Sequence, residues 1–333
     1  MAKQLECAVC GHHDFKYLFT PARAPGPVSK CRNCGFIFVS YLLNDAAVID
    51  DGPAIGDRDP ALLTSNDLND LSQCWEAGLL PSKEREWPAI QKDGGTALTK
   101  VEDYVSPPGR LLDFGCGWGF FLQVARSRGW KPYGIEPLPG TALHARARFG
   151  MDVVADVLRD DTYADDYFDV VTAFQVFEHL PDPNEVLSIL RRCIRPGGVI
   201  LIEVPNIDTW SFRLLGKRHR HFVEDHLQFF SAATLGRLLE NHEIEVMETS
   251  YPTRHMTVTH LTSRWLTHYL PGRAAETLKR MTSSQQHRVI GLNSRDIVTV
   301  VGRIPGDLRT SVLSKLRNTT AARCRTNSIE VCT

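Results

Sequence analysis

The stretch Leu111-Leu112-Asp113-Phe114-Gly115-Cys116-Gly117-Trp118-Gly119 constrains this chain more than any other. Its apolar start predicts a buried strand, and Phe120 to Arg128 predicts the helix that follows. Three glycines at alternate positions let the backbone approach a ligand where Cβ atoms would clash. A turn of this kind at the carboxyl end of a strand is where open α/β sheets bind cofactors. The pattern is G-x-G-x-G, with Phe120 where a G-x-G-x-x-G dinucleotide fingerprint has its third glycine. Asp113 adds a sign to the site, because a carboxylate there repels a pyrophosphate and attracts a cation.

The elements that follow predict a doubly wound sheet. Lys131 to Glu136 reads as a second strand ending in a carboxylate. In doubly wound folds an acid about 20 residues past the glycine turn receives ribose hydroxyls. Met151 to Ala155 predicts a third strand, followed by Asp156. Phe168 to Phe174, Gly198 to Val204, Glu243 to Ser250 and Asp296 to Arg303 predict the fourth to the seventh. Asp182-Pro183-Asn184-Glu185 is a helix start, with Asp182 as N-cap and Pro183 in the first helical position. Arg195-Pro196-Gly197-Gly198 ends that helix, and Ser231 caps another that runs through Leu239. A further helix is predicted from Ala97, broken by Pro107-Pro108-Gly109.

These motifs, in this order, resemble the class I S-adenosylmethionine-dependent methyltransferases. The matching residues are the Asp113 to Gly119 turn, Glu136, Asp156, the Phe168 strand with Phe177-Glu178-His179-Leu180-Pro181-Asp182-Pro183, and Arg195-Pro196-Gly197-Gly198. The resemblance covers roughly 98 to 250 with a closing strand near 296 to 303, and it implies an α/β fold. The expected architecture is a Rossmann-like seven-stranded methyltransferase sheet with helices on both faces, plus a small N-terminal zinc module built on four cysteines. S-adenosylmethionine is the implied cofactor. Its sulfonium methyl is already electrophilic, so the protein has to align a nucleophile and exclude water. The resemblance assigns Asp113 to the methionine ammonium, and Gly115, Gly117 and Gly119 to close backbone approach. It assigns Glu136 to the ribose, Asp156 to the adenine amino group, and Gln175 and Val176 to the border of the methionine end. Solvated strand-end acids are the plainer reading of Glu136 and Asp156.

Two C-x-x-C pairs precede all of this. Cys7-Ala8-Val9-Cys10 and Cys31-Arg32-Asn33-Cys34 are each followed by glycine, Gly11 and Gly35. Paired knuckles of this spacing form closed tetrahedral zinc sites of structural type. Cys7, Cys10, Cys31 and Cys34 are therefore the expected zinc ligands, with His12 and His13 as alternatives and reduced, unliganded thiols as the plain reading. The other five of the nine cysteines show no ligand spacing.

Candidate catalytic residues lie in two places. His179 follows the fourth strand, and its ordinary pKa near neutrality suits a general base as well as a structural role. Glu224-Asp225-His226-Leu227-Gln228-Phe229-Phe230-Ser231 resembles the E-H-x-x-Y-F-S segment of zinc-bearing sugar C-methyltransferases, with Asp225-His226 in the carboxylate–histidine places. Only about 100 residues follow, too few for the second α/β domain those enzymes carry, so O-methylation stands beside C-methylation. The basic run Arg213 to His221 is a candidate clamp for a phosphorylated acceptor.

Composition narrows the partners. The 333 residues are 43% hydrophobic and carry a net charge of −1, which favours neither nucleic acid nor anionic membrane. No apolar run approaches the roughly 20 residues of a membrane span, and no signal-like segment opens the sequence. A cytoplasmic protein with reduced thiols is expected. The expected organisation is a zinc module over 1–40, a linker with short helices over 41–97, and a methyltransferase domain over 98–305. An insertion over about 252–292 should bring helices with Trp265, Tyr269 and Leu270 to the substrate mouth, and a poorly ordered tail follows over 306–333. The expected acceptor is a small molecule, a nucleotide-linked or glycosidic sugar foremost. The competing readings are an RNA methyltransferase guided by the zinc module and a cofactor-binding scaffold without activity.

Overall fold

The computed structural model describes residues 5–40, 84–261, 272–274, 277 and 288–306. Most of the expected linker, the aromatic residues of the insertion and the tail lie outside the described residues.

Three short strands come first: β1 (Phe15–Phe19), β2 (Val28–Cys31) and β3 (Ile37–Val39). Helix α1 (Trp87–Glu102) leads into β4 (Arg110–Phe114), α2 (Phe120–Ser127), β5 (Lys131–Ile135), α3 (Pro139–Phe149) and β6 (Asp152–Val154). Then come β7 (Phe168–Phe174), α4 (Pro183–Cys193), β8 (Ile194–Pro205) and α5 (Trp210–Leu215). The chain closes with β9 (Gln228–Phe229), α6 (Ala232–Asn241), β10 (Glu245–Ser250), β11 (Arg254–Thr257), β12 (Val289–Leu292) and β13 (Ile297–Arg303).

The main sheet has seven strands in the order β10-β13-β8-β7-β4-β5-β6. Strands β8, β7, β4, β5 and β6 run parallel, while β13 is antiparallel to both of its neighbours. The strand order reverses between β4 and β7, which makes the carboxyl edge there the switch point.

Apolar residues on both faces of the central strands explain this layering. Leu111, Val170, Val199, Leu201 and Val301 face one side, against Leu98, Val101, Val124 and Ala125 of α1 and α2. Their neighbours Leu112, Val171, Ile200, Ile202 and Val300 face the other, against Leu187, Leu190, Leu235 and Leu238 of α4 and α6. Period-two alternation thus supplies two cores from one set of strands.

The helix boundaries follow local chemistry. The Asp182 carboxylate accepts from the Asn184 and Glu185 amides, and Pro183 opens α4. Ser231 and Thr234 form a reciprocal capping box on α6. Two boundaries differ from expectation. Helix α1 starts at Trp87 rather than at Ala97, because Gly94 acts inside it as a packing residue. A Cβ there would lie 3.1 Å from the Phe121 ring. Strand β8 starts at Ile194, and the Pro196-Gly197 stretch is a bulge where the register shifts between Phe168 and Val170.

The cysteine-bearing segment is joined to the rest through a second sheet of order β1-β2-β3-β9. Ile37 pairs with Phe229, and the Val39 amide donates to the Leu227 carbonyl at 2.9 Å. Phe36 meets Phe230 at 5.1 Å, and Asn184 and Asn241 donate to the Ala8 and Val9 carbonyls. Beyond β10, the antiparallel ribbon β11–β12 forms the base of the insertion.

Gly134 in β5 shows how tight the sheet–helix contact is. A Cβ there would sit 2.5 Å from the Cys116 sulfur and 3.0 Å from Leu122 Cδ1. Gly134→Ala is expected to cost about 1–3 kcal/mol by overpacking. Adding Cys116→Ala should recover part of that loss, as read by denaturant unfolding of the single and double variants.

Candidate functional site

Strand β4 ends where the Ile135 carbonyl accepts from both the Gly115 and the Cys116 amides, at 2.9 and 3.1 Å. The chain then turns through Gly115, Gly117 and Gly119, with φ of +76°, +50° and +79°. A Cβ on Gly115 would fall 2.5 Å from Val176 Cγ2, and one on Gly119 would fall 2.6 Å from the Ala145 Cβ. At Gly117 a Cβ would meet nothing within 4 Å. The turn is therefore packed on its two flanks and open at its middle, as a backbone cradle requires.

Two buried carboxylates line this turn. Glu136 accepts from the Gly117 amide at 2.9 Å and from the Leu138 amide at 3.1 Å. Burial raises its pKa, and those two amides oppose the rise. Asp113 accepts from the Thr172 hydroxyl at 2.7 Å. Burial pushes Asp113 up to about 7; the Thr172 hydrogen bond works against this and the Glu136 charge adds to it. Two acids with no cation between them among the described residues suit a ligand that carries positive charge.

Gln175 leaves β7 with φ +56°, its amide donating to the Glu203 carbonyl at 2.8 Å. Val176 then packs on Gly115. The fold thus brings Asp113, Gly115, Gly117, Glu136 and Val176 to one edge. Asp156 follows β6, whose Val154 carbonyl accepts from the Glu136 amide at 2.9 Å; it accepts from the Val157 amide and pairs with Arg159 at 2.6 Å.

The 3₁₀ turn Phe177–His179 follows directly. His179 Nδ1 lies 2.7 Å from the Asp225 carbonyl and 3.6 Å from the Asp225 carboxylate. The His179 and His226 rings meet edge to face at 4.8 Å. The two expected catalytic segments therefore converge, with both the carbonyl and the carboxylate of Asp225 near His179. Burial, with the nearby His179 ring adding, lowers the His226 pKa to about 4. Glu178 is 1% exposed, and burial pushes its pKa up to about 8. Sequence reasoning gave Glu178 no role, although it stands inside the matching Phe177 to Pro183 motif.

A further charged group went unforeseen. Arg254 of β11 reaches Glu203 at 2.6 Å and Asp93 of α1 at 3.7 Å. His255 also meets Asp93, at 2.6 Å, and Thr299 donates to Glu203. No spacing rule joins residues this far apart in sequence. The basic run is largely engaged by its own surroundings: Arg213 pairs with Asp208, Arg220 with Asp296, and His219 with the Ser211 hydroxyl.

The four cysteines of the paired knuckles converge as expected. Cys7 and Cys34, and likewise Cys10 and Cys31, have sulfurs 3.5 Å apart, and all four lie within 4.8 Å of one another. Zinc–sulfur bonds of about 2.3 Å in a tetrahedron put sulfurs about 3.8 Å apart, so the donor set fits that ion. Gly11 and Gly35, with φ of +71° and +79°, close the two knuckles by donating to the Cys7 and Cys31 carbonyls. Burial opposes the Cys10 thiolate, yet hydrogen bonds from the Asn33 side chain and the His12 backbone bring its pKa to about 6. The His12 ring meets the Asn33 side chain and the His13 ring the Leu5 carbonyl.

Arg254→Ala leaves Glu203 buried without its cation. The expected loss is about 1–3 kcal/mol, below the roughly 3–5 of a fully buried pair because Arg254 is partly solvated. Burial already raises Glu203, so the folded state takes up a proton more readily than the unfolded chain, and the loss should be larger at pH 8 than at pH 5. Thermal melts at the two pH values check this.

Residues 91–249 match the family described as a methyltransferase domain. A ubiquinone biosynthesis O-methyltransferase of Aeromonas salmonicida is 32% identical over 145 residues, 39% of this chain and 60% of that relative. A Mycolicibacterium smegmatis protein bearing the name S-adenosylmethionine-dependent methyltransferase is 34% identical over 140 residues, 42% of this chain and 53% of that relative. The chain thus spans between half and three fifths of the length of these curated relatives. Among solved structures, a chain of the complex between the Haloferax volcanii Trm112 methyltransferase activator and a candidate methyltransferase superposes with a TM-score of 0.51. It is 19% identical, covering 72% of this chain and 98% of that one, a likeness of fold alone. No helix among the described residues is long and apolar enough to cross a membrane. By its family match, its strand order and its glycine turn, the span 91–249 is an S-adenosylmethionine-dependent methyltransferase domain.

Proposed function

We propose that this chain moves the methyl group of S-adenosylmethionine to a hydroxyl-bearing small molecule. The carrying observation is the open glycine turn with its two buried carboxylates, set one short turn away from the paired imidazoles of His179 and His226. When bound, the cofactor supplies an electrophilic methyl on a cationic sulfur. The rest of the work falls to the chain's own side chains.

In this reading Asp113 faces the methionine ammonium and Glu136 the ribose hydroxyls. Gly115, Gly117 and Gly119 let the backbone come close, and Gln175 and Val176 border the methionine end. Asp156 takes the adenine side, its exposed pair with Arg159 opening without burying a charge. His179 and His226 present ring nitrogens to the acceptor oxygen, and the Asp225 carbonyl holds the His179 ring in one orientation. Cys7, Cys10, Cys31 and Cys34 hold a structural zinc ion. The names of the curated relatives favour an oxygen acceptor, and the Asp225-His226 segment favours a nucleotide-linked or glycosidic sugar.

The direct test uses purified protein, S-adenosylmethionine labelled in its methyl group, and an extract separated into small molecules, RNA and protein. Label is expected in a sugar-containing small-molecule fraction. Label in RNA or protein overturns the acceptor assignment.

A pH test addresses Asp113 itself. Its raised pKa favours the protonated acid in the free protein, so the folded state without ligand loses stability as pH rises from about 4 to about 7. A bound ammonium needs the carboxylate. Cofactor affinity should therefore rise with pH, by up to about tenfold per unit below pH 7, and level off above it. Asp113→Asn should bind more weakly with a flat profile, measured by calorimetric titration.

A further inference from the structure

A second group of metal-ligating side chains lies outside the cysteine knuckles. Glu178, His179 and His226 offer one ligand atom each, all within 4.8 Å of one another. The hydrogen bonds around them fix which atoms are free. His179 Nδ1 is engaged by the Asp225 carbonyl at 2.7 Å, so it carries the proton and Nε2 keeps its lone pair. His226 Nδ1 is buried without a hydrogen-bond partner among the described residues, so no acceptor there holds a proton on it. Both carboxylate oxygens of the buried Glu178 are likewise without a donor among the described residues.

Three acceptors thus converge with no donor among them. A protonated Glu178 would satisfy one imidazole and leave the other bare, and each bare buried polar atom carries a desolvation cost. A single divalent cation satisfies all three at once. Ligating histidines commonly give their second ring N–H to a backbone carbonyl, which sets tautomer and ring direction. His179 has that arrangement with the Asp225 carbonyl before any ion arrives.

We propose that Glu178, His179 and His226 hold a divalent transition-metal ion whose open positions take the hydroxyl oxygen of the methyl acceptor. Two imidazoles and a carboxylate suit zinc, iron(II), cobalt(II) or manganese(II). Three protein ligands leave room for a substrate atom, unlike the closed set of four cysteines. A metal-bound hydroxyl sheds its proton far more readily than a free one. The O–H proton leaves to solvent, the O–CH₃ bond forms as the S–CH₃ bond breaks, and S-adenosylhomocysteine departs with the sulfur electron pair. The acceptor's part in this rests on the methyl-transfer reading above; the uptake of the ion does not.

The test titrates cobalt(II) into the full chain already loaded with zinc at its cysteines, followed by calorimetry and visible absorption. One further equivalent is expected, with weak d–d bands and no sulfur charge-transfer band. Glu178→Gln and His226→Asn should each weaken binding by more than the roughly 10- to 100-fold that loss of a supporting residue costs. Unchanged circular dichroism and S-adenosylmethionine binding show that each variant is folded, and either variant alone suffices. The proposal fails if cobalt(II), zinc(II), manganese(II) and iron(II) all give no further equivalent, or if both folded variants bind as the parent does. In that case His179 and His226 act on the acceptor directly. Metal uptake without label in any small molecule leaves the ion in place and removes the acceptor assignment.

Discussion

The Ile135 carbonyl accepts from two successive amides, Gly115 and Cys116, and the carboxyl edge of the sheet takes its shape from that pair of bonds. They end β4 at Phe114 and throw the chain into left-handed conformations that only glycine adopts without strain. The turn is then clamped from both sides by Val176 and Ala145. Glu136, one residue beyond that carbonyl, reaches back to the Gly117 amide, so β5 both stops the first strand and furnishes its carboxylate. A cofactor cleft at this point results from two parallel strands meeting where the strand order reverses.

Electrostatic tension is concentrated along the same edge. Asp113, Glu136, Glu178 and Glu203 are all buried at or just past strand ends, and burial raises the pKa of each. Among the described residues, Glu203 alone of these four has a cation beside it, Arg254, supplied by the ribbon that opens the insertion. A stability optimum alone does not produce such an arrangement, because unpaired buried acids are costly. The remaining acids are spaced along a cleft that a positively charged cofactor and a cation are chemically suited to fill.

Much of this was legible in the sequence, for identifiable reasons. The seven strands carry period-two apolar patterns on both faces, and the glycine turn, Glu136 and the paired cysteine knuckles have fixed spacings over short stretches. Local chemistry also announced the Asp182 and Ser231 caps. What escaped was set by tertiary packing. Gly94 disguised the first half of α1 because its reason for being glycine is the Phe121 ring on another helix. The bulge at Pro196-Gly197 depends on cross-strand register. That Asp225 meets His179, from a different segment, was not legible because only tertiary packing joins the two. Glu178 was passed over because an acid next to a histidine shows neither its burial nor its lack of donors until the segments are brought together.

The small sheet that joins β3 to β9 has a consequence for how the chain is made. Ile37 and Phe229 are neighbours in space but nearly two hundred residues apart in sequence. Closing a loop of that size carries an entropic cost that is met only when the later partner exists. As the chain leaves the ribosome from its amino end, the cysteine-bearing strands emerge early with one edge unpaired and Phe36 without Phe230. Their sheet is completed only after the whole parallel half of the main sheet has been synthesised. The cysteine-bearing segment, made well before its partner strand, thus waits for that strand to reach its final structure.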